Sequence, residues 1–191
     1  FVLDPHDEYY GRNEKGLKDH PNAKEDLLYY SSDAPTGSNT LVINLKTLEP
    51  EHFEGIVELT TPQEEAFSTY HMEYKEDWIE KIVLGTEIKK VDKRTLRVLQ
   101  RKLKRSLDVS AKDGEVVCNS NVFSTTAGAS TIKDIVGALE SGKIVIVDTS
   151  RLSDDAELLI GSIIASETFY RYRESKGKGT LKEKPPVSIV I

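Results

Sequence analysis

The 191 residues carry 26 Lys and Arg against 32 Asp and Glu, a net charge of −6, with 38% hydrophobic and 30% charged side chains. Such proportions belong to a well-solvated globular protein and argue against a chain that binds polyanions over its whole surface. No apolar run approaches the roughly 20 residues that cross a bilayer, and no signal-peptide pattern is present. The single cysteine, Cys118, cannot form an internal disulfide. It reads as a small strand or core residue, and its isolation fits a reducing, cytoplasmic setting.

Residues 1–4 (Phe-Val-Leu-Asp) read as the end of an apolar strand, stopped by Pro5, which removes a donor and fixes φ. Residues 6–38 are polar and punctuated by Gly11, Gly16, Pro21, Pro35 and Gly37. They predict a long connection with one short strand at residues 27–30. Residues 41–45 (Leu-Val-Ile-Asn-Leu) predict a further short strand.

From Pro50 to Leu107 the pattern turns helical. Thr61-Pro62-Gln63-Glu64 offers a cap, a proline at the first helical position and acids in the first turn. Trp78, Ile79, Ile82 and Val83 recur at helical spacing within residues 74–84. Leu96, Leu99, Leu103 and Leu107 form one stripe of the next helix, with Arg94, Arg97, Arg101, Lys104 and Arg105 mostly around its other face. Three or four helices are expected here, inserted into an α/β chain. The block is also asymmetric in charge: acids dominate residues 49–80 and bases residues 89–105. Solvated faces with weak ion pairs between neighbouring helices are the favoured account of that; a subunit contact, or a DNA contact along the Arg94–Arg105 face, is the sharper alternative.

Beyond the block, residues 114–126 are strand or turn material and residues 131–140 a helix. Residues 143–148 (Lys-Ile-Val-Ile-Val-Asp) form a strand buried on both faces. Ser153 caps a long helix with Asp154, Asp155 and Glu157 at the positive end of its dipole. That helix is expected to close at Arg171 and Arg173, before a solvated loop over residues 174–184. A last buried strand at residues 187–191 completes a right-handed strand–helix–strand crossover. The missing initiator Met and the apolar ends lead to the expectation of an internal piece of a longer polypeptide.

One motif is a decoy. Gly137-Ala-Leu-Glu-Ser-Gly142-Lys143-Ile144 matches most of the phosphate-binding loop G-x-x-x-x-G-K-[ST]. Ile144 replaces the hydroxyl that Mg²⁺ requires, and a helix precedes where a strand should. Gly142 is read as a helix stop.

Asp4-Pro5-His6-Asp7-Glu8-Tyr9 is the densest group of chemically able side chains, placed where open α/β sheets hold ligands, at the carboxyl end of a buried strand. An acidic, solvated turn is one reading. Metal-dependent phosphoester hydrolysis through Asp4 and His6 is another, since Asp-x-His after a strand can supply two ligands. The other histidines, His20, His52 and His71, do not lie at strand ends beside Asp or Asn.

The order of these motifs supports a third reading. A strand ending Asp4-Pro5-His6-Asp7-Glu8-Tyr9, a helical insertion, a strand ending Val147-Asp148, a long helix and the run Pro186-Val187-Ser188-Ile189-Val190-Ile191 together resemble the HerA-like ATPases of the HerA/FtsK branch of P-loop NTPases. Residues 143–170 resemble the strand and helix that precede that family's Walker B strand. Asp7 stands where the family usually has Gly, a residue often chosen for an unusual φ.

The resemblance implies an α/β fold: a RecA-like P-loop NTPase core with a mostly parallel sheet and an all-helical insertion. It implies core residues 1–49 and 111–191 around an insertion at 50–110. It places the phosphate-binding loop before Phe1 and the Walker B acids after Ile191, so that the fragment alone would be inactive. ATP and Mg²⁺ are the implied cofactors, with Asp4 approaching the metal or the attacking water and Glu8 as a second catalytic residue. The implied activity is ATP-driven translocation of double-stranded DNA in double-strand-break end processing, by a hexameric ring partnered with a NurA-type nuclease. Arg171, Arg173, Lys176, Lys178 and Lys182 are the expected DNA contacts, as a basic segment tracking phosphates through the ring. A noncatalytic α/β assembly module remains the further alternative.

Overall fold

The computed structural model describes residues 1–190. In chain order its elements are β1 (Val2–Asp4), α1 (Ala23–Asp26), β2 (Leu27–Ser31), β3 (Asn39–Thr40), β4 (Ile43–Asn44), α2 (Thr61–Tyr74) and α3 (Trp78–Leu84). There follow α4 (Lys93–Ser106), β5 (Val109–Lys112), β6 (Glu115–Cys118), β7 (Phe123–Ser124), α5 (Thr131–Glu140), β8 (Ile144–Asp148) and α6 (Asp154–Gly177). The chain divides into two compact units. The first comprises Phe1–Leu41, Ser130–Leu152 and the residues from Ile160; the second comprises Val42–Ala129 and Ser153–Leu159.

The first unit is built on a parallel sheet of order β1-β8-β2-β3. β8 lies between β1 and β2, and Val145, Ile146 and Val147 are fully buried, which is why its apolar run is continuous rather than alternating. The register pairs Asp4 with Asp148, so both carboxylates end adjacent parallel strands. A Cβ on Gly161 of α6 would stand 3.1 Å from Leu3 Cδ2 of β1, so the absent side chain lets the helix lie close to the strand. Gly142, at φ +80°, takes the left-handed turn between α5 and β8. The near-match to a phosphate-binding loop is therefore a helix end running into a strand.

The second unit packs α2, α3 and α4 around Trp78. Phe53 and Phe67 meet the indole edge-on at centroid distances of 5.7 and 5.0 Å, and Trp78 Nε1 donates to the Leu48 carbonyl at 2.9 Å. Leu96, Leu99, Leu103 and Leu107 are buried as their spacing predicts. Residues 74–84 are not one helix, because Lys75 adopts φ +52° and breaks the chain between α2 and α3. α2 starts a residue earlier than its cap signal indicates: Thr60 is the cap, and its N–H donates to Gln63 Oε1 at 3.3 Å.

After its helices, the second unit carries strands where residues 114–126 are expected to be strand or turn, beginning a few residues earlier. β5 and β6 form an antiparallel hairpin against α3, closed by Asp113-Gly114 at φ +52° and +84°. Of the strand expected over residues 41–45, only Ile43–Asn44 pairs, with Phe123–Ser124.

Two further expectations change. α6 continues past the expected close at Arg171 and Arg173 to Gly177, so Lys176 is helical and not part of the loop. The last strand reduces to a parallel bridge between Val2 and Val190, with Ile189 and Val190 exposed; Ile191 lies outside the described residues. Among the described residues no helix is long and apolar enough to cross a membrane.

Candidate active-site edge of the parallel sheet

The carboxyl ends of β1, β8 and β2 bring together the polar groups of the first unit. Asp4 is almost completely buried. Its carboxylate faces the loop that follows β1, accepting the backbone N–H groups of His6 at 3.4 Å, Glu8 at 3.2 Å and Tyr9 at 3.0 Å. Pro5 supplies no donor, so the side chain stands in for the sheet ladder that the strand has just left.

Asp7 adopts φ +53°, the left-handed conformation that a glycine would enter without cost. Its carboxylate gives that strained position a function: Oδ1 accepts the Tyr29 hydroxyl at 2.6 Å, and Oδ2 lies 2.7 Å from Arg12 Nε. The latter contact is coulombic, since the Nε–H does not point along a hydrogen bond.

Arg12 is the hub. Its Nη2 donates to Tyr29 Oη at 2.9 Å, Ser31 Oγ at 3.1 Å and Asp148 Oδ2 at 3.1 Å, while Nη1 donates to the Asp33 carbonyl at 2.9 Å. The Tyr29 hydrogen bond, aided by the charges of Asp7 and Asp148, raises the guanidinium pKa further, against the effect of burial. Burial and the bond to Asp7 push the Tyr29 hydroxyl far above its ordinary value, so it is neutral at any working pH. Asp148 behaves oppositely. Burial alone would raise it, but hydrogen bonds from Ser150, Ser31 and Tyr29 prevail and hold its carboxyl below the usual range. Asp148 Oδ1 receives the Ser150 hydroxyl at 2.6 Å and amide at 3.0 Å. The Thr149 hydroxyl between them is buried and has no hydrogen-bond partner among the described residues.

The loop from β1 is closed behind Arg12 by two glycines. A Cβ on either Gly11 or Gly16 would come within 2.5 Å of the other's backbone, so this crossing admits no side chain. Leu17 and Lys18 donate to the carbonyls of Tyr9 and Tyr10, and the Lys18 ammonium bonds the Gly11 and Arg12 carbonyls. Tyr10 stacks on Tyr29 at 3.9 Å between centroids. A cleft of about 380 Å³ opens over Asp7, Glu8, Gly11, Arg12 and residues 13–15.

Of the residues singled out by sequence, Asp4 lies at this edge but turns its carboxylate into the loop. Glu8 is exposed beside the cleft, tethered through its amide to Asp4. His6 is exposed while Asp4 is buried, and among the described residues no three His, Cys, Asp or Glu side chains converge as a metal site. The two-ligand phosphoesterase constellation is therefore not assembled. In the basic segment, Arg171 pairs with Glu140 at 3.0 Å, Lys184 pairs with the same carboxylate at 3.2 Å, and Lys178 lies 3.7 Å from Glu174. Arg173, Lys176 and Lys182 are exposed.

Sequence reasoning missed Arg12, Tyr29 and Ser31 as site residues. No local pattern marks Arg12, since its partners lie up to 136 residues away. Asp148 had a usable signal, a lone carboxylate ending a doubly buried strand.

No curated protein and no solved structure matches the chain. A family model does: the one described as the central domain of the helicase HerA matches residues 1–168. That span contains the Asp4 loop, Arg12, the parallel sheet and Asp148, and the chain belongs to the HerA central-domain family.

Proposed function

We propose that this chain is the core of a ring-forming, ATP-driven translocase of double-stranded DNA, acting in double-strand-break end processing with a NurA-type nuclease. Family membership supports a helicase or ATPase role. The observation that carries the reading further is the ordered polar edge, in which Asp4 and Asp148 end neighbouring parallel strands, Asp4 accepting N–H groups of the β1 loop and Asp148 bonding Arg12 of that same loop. Carboxyl ends of parallel strands are where such sheets hold nucleotides.

Mg²⁺, when bound with ATP, neutralises charge on the transferring phosphoryl group. The residues present fit it in a limited way. Mg²⁺ is held through one or two carboxylates plus phosphates and water, and Asp4 is the buried carboxylate at the strand end. Its oxygens already accept three backbone N–H groups, so we assign it chiefly to shaping the loop, with about one lone pair left to orient a water. Glu8 reaches the cleft from that loop as a second catalytic group. The pattern of a complete phosphate-binding loop does not occur in these residues. Hydrolysis is proposed for the protein in which this domain is joined to such a loop. DNA would run past Arg173, Lys176 and Lys182, with Arg171 and Lys178 partly engaged by Glu140 and Glu174.

The test is DNA-stimulated ATP hydrolysis by that protein carrying Asp4→Asn. Turnover should fall at least tenfold while melting stays cooperative. Undiminished turnover in a folded variant would refute the assignment.

A further inference from the structure

α4 carries its cations in two sets. Lys93 pairs with Glu87 and Arg105 with Asp155, each at 2.8 Å, and Lys102 bonds the Glu58 carbonyl and Gln63. Arg94, Arg97, Arg101 and Lys104 form the other set. Among the described residues none of these four has an ion pair or a side-chain hydrogen bond, and the three arginines are exposed. Their spacing of three, four and three residues draws one line along the helix. The buried Leu96, Leu99 and Leu103 hold that line outward.

Stability does not explain this stripe. Like charges one turn apart destabilise a helix by about 0.2–0.5 kcal/mol per pair, and no acid lies in the helix between the Asp92 cap and its end at Ser106. A protein partner is a poor fit, because interfaces are organised around an apolar core and none of the exposed large apolar side chains lies on α4. Three of the four cations are arginine, whose planar fork matches phosphate oxygens. The stripe covers a rise of about 15 Å, at 1.5 Å per residue. A strand of duplex presents one phosphate per roughly 3.4 Å of axis, so about four phosphates lie along that length.

We infer that the Arg94–Arg97–Arg101–Lys104 stripe of α4 is a contact for the sugar–phosphate backbone of duplex nucleic acid, in the second unit and separate from the basic end of α6. It rests on the proposed DNA reading only for the identity of the polyanion. The contact reads no sequence, because such cations hold backbone and not base edges.

The experiment is binding of a fluorescein-labelled duplex to the whole chain, followed between about 50 and 200 mM salt. The variants are R94Q/R97Q/R101Q/K104Q, the charge-conserving R94K/R97K/R101K, and K176A/K178A/K182A. Each phosphate contact contributes about 0.9 to the slope of log K against log salt, so the glutamine variant should flatten it by about 3.6. The lysine variant should keep the slope. If the quadruple variant melts early, R97Q/R101Q should still remove about 2. An unchanged slope in the glutamine variant overturns the inference; if K176A/K178A/K182A alone flattens it, the α6 reading survives without this one. Unchanged duplex binding with a fall in oligomer mass assigns the stripe to an acidic face of a second copy, and also overturns it.

Discussion

Arg12 and Asp148 stand 136 residues apart in sequence and meet at 3.1 Å, guanidinium to carboxylate, at the carboxyl edge of the parallel sheet. Asp148 is almost wholly buried and Arg12 about four-fifths so. The pair fastens the β1 loop to β8, and through Tyr29 and Ser31 to β2. Its members are not interchangeable, since removing either leaves the other's charge in a poorly solvated place.

Arg12→Ala should therefore cost about 3 kcal/mol of stability, the usual scale for breaking a buried pair from one side. Asp148→Asn should cost less, because the amide oxygen still accepts from Ser150. The two effects should not add: the double variant should lose at least about 1 kcal/mol less than the sum of the single losses, as expected for groups in contact. Urea unfolding of the four proteins measures this, and additive losses would mean that the pair is energetically idle.

Asp7 supplies a second test, because two opposed effects meet at it. Its left-handed backbone favours glycine over a side chain by about 1 kcal/mol, while its carboxylate holds Tyr29 and Arg12. Asp7→Gly removes both and should be mildly destabilising. Asp7→Ala loses the contacts and keeps the strain, so it should be the worse variant by about 1 kcal/mol. Equal losses in the two would show that the backbone conformation is not the one described.

The acid limb of stability follows from Asp148. Its folded pKa is depressed, so its stabilising contribution is complete above the unfolded value of about 3.9 and is lost as pH falls through the lower folded value. Glu140 is depressed too, by Arg171 and Lys184 working against burial. The wild-type chain should lose stability steeply below about pH 4, and Asp148→Asn should lose it less steeply. Between pH 5 and 7 the two curves should run parallel. Parallel curves below pH 4 would contradict the assignment of the depressed group.

Much of this architecture was legible in the residues. The 143–148 run, the leucine stripe of α4 and the Ser153 start of α6 follow from periodicity and caps, which act within a few residues. Asp7 was also legible as an oddity, a side chain at a position resembling one where the family uses glycine, and it does adopt a left-handed φ. The Asp113-Gly114 turn carried an equally local hairpin signal that the helical pattern before it obscured.

The rest depended on distance along the chain. The sequence by itself determined that Asp4 ends a strand and that residues 94–105 are rich in cations. Only the tertiary structure decided that Asp4 spends its carboxylate on the loop behind it, that Arg171 is engaged by Glu140 while Arg94, Arg97 and Arg101 are not, and that an arginine without any local motif organises the sheet edge. The physical reason is range. Caps and periodicity are set by neighbours, whereas the partner that neutralises a charge is chosen by which strands lie side by side.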